Sequence, residues 1–263
     1  MENNSRDTIN VAQLGVGYWG PNLLRNLISN PRFNVRAVVD LSEARRDFVK
    51  NIYPGIHVDS TPEAVFENPN IDAVVIATPV ATHYDLGIRA VKSGKHVLVE
   101  KPMATRVEDV KNIGRVATEK NLTAMVGHTF LFNQAVRYVK GLIDGGELGD
   151  IRYIYSQRVN LGRIRNDVDA LWNLAPHDVS IIQYWLGDPD PLSISTIGMD
   201  YVQKGIDDVV FLNVSYPNKV MAHIHVSWLD PHKVRKMTVV GSKKMVVYDD
   251  LAENKIAVFD KGI

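Results

Sequence analysis

Three glycines near the amino terminus, Gly15, Gly17 and Gly20, follow an apolar stretch and precede a helical pattern. In a G-x-G-x-x-G loop the first glycine permits a tight turn, the second lets the backbone approach a pyrophosphate, and the third allows close packing of helix on strand. The following helix points its first N–H groups at the phosphates. The loop, which also contains Tyr18 and Trp19, is therefore predicted to bind a dinucleotide.

A carboxylate ends the second apolar stretch, V-R-A-V-V-D, where Asp40 stands about 20 residues after Gly20. Such a side chain can accept hydrogen bonds from the adenosine ribose hydroxyls, and it repels a 2′-phosphate. NAD is therefore expected in preference to NADP. Arg45 and Arg46 lie one helical turn further on and could still meet a phosphate.

Short apolar runs alternate with helical patterns through the first half of the chain, as is typical of buried parallel strands joined by helices. This succession predicts an α/β Rossmann domain with a doubly wound parallel sheet over residues 1–127. The runs cover residues 9–14, 35–39, 73–77, 96–99 and 123–126.

After Gly127 the pattern changes to helices followed by closely spaced strands. A helix is expected from about Pro176 to Trp185, ended by Gly187. The pattern predicts an α+β domain with a mainly antiparallel sheet over residues 128–263. Its other elements are a helix over 134–143 and strands that include 151–159, 209–216, 220–228 and 237–240.

Two further segments, A-T-P-V-A-T-H at 77–83 and V-E-K-P at 99–102, end predicted strands of the first domain. Ligands of open α/β sheets bind at the carboxyl ends of the strands, so both segments should line the nucleotide cleft. With these motifs the chain resembles the Gfo/Idh/MocA oxidoreductase family along its whole length. The resemblance implies a Rossmann domain with E-K-P after the fifth strand, and a carboxy-terminal substrate domain.

The resemblance also assigns the cofactor contacts of these two segments. Thr78, Pro79 and His83 are expected to shape the nicotinamide pocket. Glu100 and Lys101 of E-K-P are expected to lie beside the nicotinamide.

Within the family, G-V-G-Y-W-G-P-N-L-L-R-N and W-N-L-A-P-H-D-V-S are similar to segments of enzymes that act on nucleotide-activated sugars, particularly UDP-N-acetylglucosamine 3-dehydrogenases. This implies hydride transfer between NAD and a secondary hydroxyl of a UDP-linked, N-acetylated sugar. Three alternatives stay open: a dehydrogenase of a free sugar or inositol, a ketosugar reductase, and a non-catalytic NAD-binding sensor of the same fold.

Alcohol oxidation needs a base for the hydroxyl proton, while the cofactor carries the hydride. By resemblance, His177 is expected to take the proton and Lys101 to hydrogen-bond the same oxygen, with the reverse allocation open. The D-x-G-x-H segment of many relatives appears here as N-L-A-P-H. Asn173 therefore replaces an aspartate, and its amide can orient a hydroxyl but cannot act as a base.

Other side chains of the second domain are candidate substrate contacts. Trp172, with Asn173, is expected to hold the sugar. Arg158, Asn160 and Arg163 lie on or after the first strand of this domain and could meet a diphosphate. Asp178 is interpreted differently, as a residue of the first helical turn that complements the helix dipole.

Two histidines, His223 and His225, alternate along one predicted strand and could hold a metal if His232 joined them. The apolar residues that alternate with them, at positions 220–228, indicate instead a sheet with one face in the core and the other against a partner. No metal is expected. The chain is instead expected to form a homodimer or homotetramer through its carboxy-terminal sheet.

Composition limits the remaining possibilities. Thirty basic residues balance 30 acidic ones, so no broad positive field favours nucleic acid. The chain has no cysteine, which excludes disulfides and suits a reducing compartment. It shows neither a secretory apolar region nor an apolar run near 18 residues, so a cytoplasmic protein that does not span a membrane and acts on a small molecule is expected. Relatives generally continue past the equivalent of Ile263, and carboxy-terminal truncation is expected.

Overall fold

The computed structural model describes residues 8–162 and 164–261. The chain divides between Gly127 and His128 into two compact units, each with a sheet and a core of its own. No helix among the described residues is long and apolar enough to cross a membrane.

The first unit is a six-stranded parallel sheet with strand order β3-β2-β1-β4-β5-β6. Neighbouring β1 and β4 mark the point where the order of the strands reverses, and ligands bind at such points in doubly wound sheets. Its elements are β1 Ile9–Leu14, α1 Gly20–Ser29, β2 Phe33–Val39, α2 Glu43–Ile52, β3 His57–Asp59, α3 Glu63–Glu67, β4 Ala73–Ile76, α4 His83–Lys92, β5 His96–Val99, α5 Val107–Glu119 and β6 Ala124–Val126.

The second unit begins with a short 3-10 helix, Thr129–Phe132, and contains a seven-stranded sheet ordered β13-β12-β11-β7-β10-β9-β8. All neighbours in this sheet are antiparallel except β7 and β10. Its other elements are α6 Gln134–Asp144, β7 Ile151–Leu161, α7 Ala170–Leu186, β8 Ser193–Met199, β9 Val209–Ser215, β10 Met221–Ser227, β11 Leu229–Gly241, β12 Met245–Asp249 and β13 Ile256–Phe259.

One face of the second sheet forms the core of its unit together with α6 and α7. Ile154 of β7, Ile224 of β10 and Val239 of β11 are buried there, with Trp185 of α7. Along β7 and β10, buried residues alternate with more exposed ones over most of the strand, since successive side chains point to opposite faces. The predicted fold class, a parallel Rossmann sheet followed by a mainly antiparallel sheet, is confirmed.

The helix expected from about Pro176 begins earlier, at Ala170, so that prediction of its start was wrong. The Asp169 side chain accepts a hydrogen bond from the backbone N–H of Trp172 and caps the helix. Pro176 lies inside α7, where its ring nitrogen cannot donate to the preceding turn. Proline favours the first helical turn, which explains the error. The end at Gly187, which has a φ of 81°, is confirmed.

Candidate functional site

The glycine loop joins β1 to α1 and lies against the end of β4. Gly15 has a φ of 90°, and a Cβ there would lie 2.6 Å from the carbonyl oxygen of Ala77. A Cβ on Gly20 would lie 2.5 Å from the carbonyl oxygen of Gly15. Gly17 differs, because its Cβ would meet nothing within 4 Å. The first and third glycines therefore serve packing, whereas the second leaves the open space that a pyrophosphate needs.

Gln13 of β1, which was not predicted from the sequence to have a role, stabilises the glycine loop. Its buried Nε2 atom donates to the carbonyl oxygens of Gly15, at 2.9 Å, and Gly20, at 2.8 Å. The available signal was a glutamine between the apolar residues Ala12 and Leu14. Gln13 fixes the backbone of the loop, and no side chain caps the start of α1. The first N–H groups of α1 are therefore suited to bind an anionic ligand.

Asp40 connects the end of β2 to the glycine loop. Its carboxylate accepts hydrogen bonds from the backbone N–H groups of Val16, at 2.8 Å, and Ser42, at 2.9 Å. Arg46 donates to the carbonyl oxygens of Asp40 and Leu41, both at 2.8 Å, which occupies the Nη1 atom of its guanidinium. The carboxylate is therefore fixed beside the loop, as contact with an adenosine ribose would require.

Substitution of Gly15 and of Gly17 separates packing from cofactor binding. We expect Gly17→Val to weaken NADH binding by about 100-fold or more, because the side chain fills space needed by the pyrophosphate, while the melting temperature of the free protein changes little. Gly15→Ala should lower the melting temperature as well, because it forces a Cβ against the Ala77 carbonyl. Fluorescence titration and thermal unfolding measure the two effects. Equal NADH affinity in Gly17→Val and the unmodified protein would contradict this assignment.

The segment after β4 is supported by a buried histidine. His83 is only 1% exposed, and its Nε2 and Nδ1 atoms lie 2.8 Å and 2.7 Å from the carbonyl oxygens of Thr78 and Pro102. Thr78 Oγ1 also pairs with Thr82 Oγ1 at 2.7 Å. His83 thus links the segment containing Thr78 and Pro79 to the segment after β5, and its direct contact with the cofactor stays a prediction.

Glu100 and Lys101 follow β5 at the carboxyl edge of the parallel sheet. Lys101 is half-buried, its backbone N–H donates to Glu100 Oε2 at 3.3 Å, and a cis peptide bond joins it to Pro102. Burial raises the pKa of the Glu100 carboxyl. The hydrogen bond from the Lys101 backbone, the charge of Lys101 and a hydrogen bond from the Trp19 side chain each oppose this rise. The Trp19 contact connects E-K-P with the glycine loop within this unit.

Trp172, Asn173 and His177 all lie on α7, in its first two turns and just beyond. Trp172 is exposed, whereas Asn173 is half-buried and accepts a hydrogen bond of 3.4 Å from Nε1 of the buried Trp228. The half-buried His177 ring meets the Phe130 ring edge-on, at 5.0 Å between centroids. Residues 173 and 177 are one turn apart, so the helix brings them to one face.

The assignments of Arg158 and Asp178 need correction. Arg158 Nε and Nη2 donate to the two carboxylate oxygens of Asp178, both at 2.9 Å, and the side chains are 5% and 1% exposed. Arg158 is therefore committed to a buried ion pair instead of presenting its guanidinium to a diphosphate. Asp178 lies in the middle of α7, not in its first turn, so its expected role at the helix dipole was wrong.

Asn160, the next candidate on β7, accepts a hydrogen bond from Nη2 of Arg235 through Oδ1. Arg235 Nη1 donates to the carbonyl oxygen of Val159 at 2.8 Å. Burial and the nearby charge of Arg158 lower the pKa of Arg235 to about 10. The Asn160 amide is therefore engaged within its own sheet, and its substrate contact stays a prediction, while Arg163 lies outside the described residues.

His223 and His225 lie on the face of β10 opposite the core. His223 Nδ1 lies 2.8 Å from Asn213 Oδ1, and the Phe211 ring stacks on His225 at 4.4 Å. Burial lowers the pKa of His225. Over the described part of the chain, no group of three or more His, Cys, Asp and Glu residues could hold a metal ion.

The strand order, the glycine loop and Asp40 define the first unit as a dinucleotide-binding Rossmann domain. Residues 9–128 match the family described as "Oxidoreductase family, NAD-binding Rossmann fold", and residues 136–247 match the "GFO/IDH/MocA C-terminal domain". The chain belongs to the Gfo/Idh/MocA family, and its first unit is the NAD-binding domain of that family.

Relatives of known sequence agree with this membership, and a solved structure shares the fold. An uncharacterized oxidoreductase of Streptococcus pneumoniae is 27% identical over 80% of this chain and 60% of its own length. The NAD(+) form of scyllo-inositol 2-dehydrogenase from Bacillus subtilis is 30% identical over 68% of this chain and 54% of its own. Scyllo-inositol dehydrogenase from Lactobacillus casei, crystallised with NAD(H) and scyllo-inositol, shares the fold with a TM-score of 0.83 at 22% identity, over 95% of this chain and 81% of its own. This chain thus spans little more than half the length of the two curated relatives.

Proposed function

We propose that this protein is a dehydrogenase that transfers a hydride between NAD and a secondary hydroxyl group of a UDP-linked, N-acetylated sugar. The observation that carries the proposed hydride transfer is the placement of Lys101 two residues after the end of β5, at the sheet edge where β1 and β4 also end. That edge is where doubly wound sheets bind their cofactors. The open space at Gly17 and the fixed carboxylate of Asp40 fit the pyrophosphate and ribose of NAD.

In this proposal the chain supplies a base and the positioning of the substrate. NAD, when bound, supplies the hydride acceptor. His177 takes the hydroxyl proton, and Lys101 hydrogen-bonds the hydroxyl oxygen, with the two roles exchangeable. Asn173 and Trp172 hold the sugar by amide contact and ring packing. The Asn173 amide cannot accept the proton in place of His177.

A substrate panel tests the proposal. The purified protein is incubated with NAD⁺ or NADP⁺ and with UDP-N-acetylglucosamine, other UDP-sugars, free sugars or inositols, and NAD(P)H absorbance is followed. We expect turnover with NAD⁺ and a UDP-linked N-acetylated sugar. Cofactor binding without turnover of any substrate would contradict dehydrogenase activity and favour a sensor.

A free polyol is the second candidate substrate. It is favoured by the similarity to the Bacillus subtilis relative, which is a scyllo-inositol 2-dehydrogenase. Turnover of scyllo-inositol or another free polyol in the same panel, with none of the UDP-sugars, would select this candidate.

We also propose that the open face of the second sheet binds a second copy of this chain. Tyr155 of β7, Phe211 of β9 and Ile197 of β8 lie on this face with 40%, 39% and 62% of their surface exposed. Monomeric proteins rarely expose a broad apolar patch, and a self-complementary patch closes into a dimer. We expect Ile197→Glu to shift the sedimentation coefficient from oligomer to monomer. A monomeric unmodified protein would contradict this proposal.

A further inference from the structure

Phe130, on the 3-10 helix Thr129–Phe132, contacts two chemically distinct groups of its own unit. The His177 ring lies 5.0 Å from the Phe130 ring, with an angle of 65° between the planes. The guanidinium carbon of Arg158 lies 4.8 Å from the centre of the same ring. Both distances are within the ranges of favourable edge-to-face and cation–π contacts. The aromatic ring therefore contacts both a candidate proton acceptor and a buried cation.

The cation is held in place by the neighbour of His177. Arg158 of β7 and Asp178 of α7 form two parallel hydrogen bonds of 2.9 Å, a geometry that fixes the plane of the guanidinium. This pair connects the sheet to α7 at the residue that follows His177. Because Phe130 packs on the guanidinium, the orientation of its ring depends on a rigid buried pair and not on a flexible surface contact.

We propose that Phe130 is a positioning residue for His177, which it holds in one ring orientation through its contact with the Arg158–Asp178 pair. This inference rests on the proposed function, in which His177 accepts the proton. A base must present its nitrogen within hydrogen-bonding distance of the hydroxyl, and a misplacement of about 1 Å can cost about 100-fold in rate. The aromatic ring restricts rotation of the imidazole before substrate binds.

The first test measures the orientation of the His177 ring in the free protein by NMR, from nuclear Overhauser effects between its ring protons and neighbours other than residue 130. Chemical shifts cannot serve, because loss of the Phe130 ring current alone changes them. Phe130→Leu removes the aromatic ring while keeping an apolar side chain, and it should weaken these effects as the imidazole samples several orientations. Phe130→Tyr keeps the ring and should preserve them. Phe132→Leu is the matched control, since Phe132 is exposed on the same 3-10 helix and packs on Arg137. Unchanged His177 nuclear Overhauser effects in Phe130→Leu would overturn the proposal.

The second test uses the substrate oxidised in the panel. Phe130→Leu should lower kcat by about 10- to 100-fold with KM changed less than about threefold, whereas Phe130→Tyr and Phe132→Leu should retain turnover. If Phe130→Leu lowers the melting temperature strongly, Phe130→Met, which fills similar volume, takes its place. A kcat for the Phe130 variant equal to that of Phe132→Leu would overturn the positioning role.

A His177→Asn variant separates this inference from the function on which it rests. Normal turnover in His177→Asn would refute proton transfer by His177, and the NMR comparison would still decide whether Phe130 orients the ring. Lost turnover in His177→Asn together with normal turnover in Phe130→Leu would refute the inference alone.

Discussion

Lys101→Met is expected to lower kcat by about 10²- to 10⁴-fold, the range contributed by one group that moves or holds a proton in the transition state. This corresponds to about 3 to 5 kcal/mol of lost transition-state stabilisation. Methionine keeps an unbranched stem but removes the ammonium donor. The backbone N–H that donates to Glu100 Oε2 is unaffected. NADH affinity should therefore change only a few-fold, which fluorescence titration measures beside steady-state kinetics.

The control for Lys101→Met is Lys111→Met, because Lys111 is an exposed lysine on α5 of the same unit. Lys111→Met should retain normal kcat and KM. This result would show that loss of a positive charge elsewhere in the unit does not lower turnover. If Lys101→Met kept more than about a tenth of the normal kcat, Lys101 would be a binding residue only. If His177→Asn kept normal turnover at every pH while Lys101→Met lost it, the proton would pass to Lys101 and His177 would hold the substrate.

The first unit could be predicted from the sequence because its signals are local. β1 and β5 have the predicted bounds, since short, mainly apolar runs between turn segments suffice to place buried parallel strands. The glycine loop and Asp40 follow a spacing set by the ligand. The structure adds the reason for each glycine, because Gly15 and Gly20 face backbone atoms whereas Gly17 faces open space.

The second unit was harder to predict because its critical contacts join residues far apart in the sequence. The sequence shows that Arg158 is charged. It does not show that β7 packs against α7 so that Arg158 meets Asp178, 20 residues later in the chain. The same holds for Phe130, an apolar residue whose cationic and imidazole partners belong to two other elements. Gln13 of the first unit differs from both, since a glutamine between apolar strand residues is a local signal for an internal hydrogen-bonding role.

Asp178→Ala is expected to destabilise the second unit by about 3 to 5 kcal/mol, because it leaves the Arg158 guanidinium buried without its carboxylate. Asp167→Ala is the matched control: Arg165 and Asp167 form a similar pair with side chains 38% and 30% exposed, and its loss should cost less than about 1 kcal/mol. Chemical denaturation followed by Trp fluorescence measures both.

The double variant Arg158→Met/Asp178→Leu tests whether the cost arises from the unpaired charge. Replacing both partners by apolar side chains of similar size removes the desolvated ions together, so much of the stability lost in Asp178→Ala should return. The double variant also removes the cation that packs on Phe130. We therefore expect its stability to approach that of the unmodified protein while its kcat stays low. If stability and kcat both recover, the ion pair has only a structural role. If stability alone recovers, the ion pair has a second role, which is to orient His177 through Phe130.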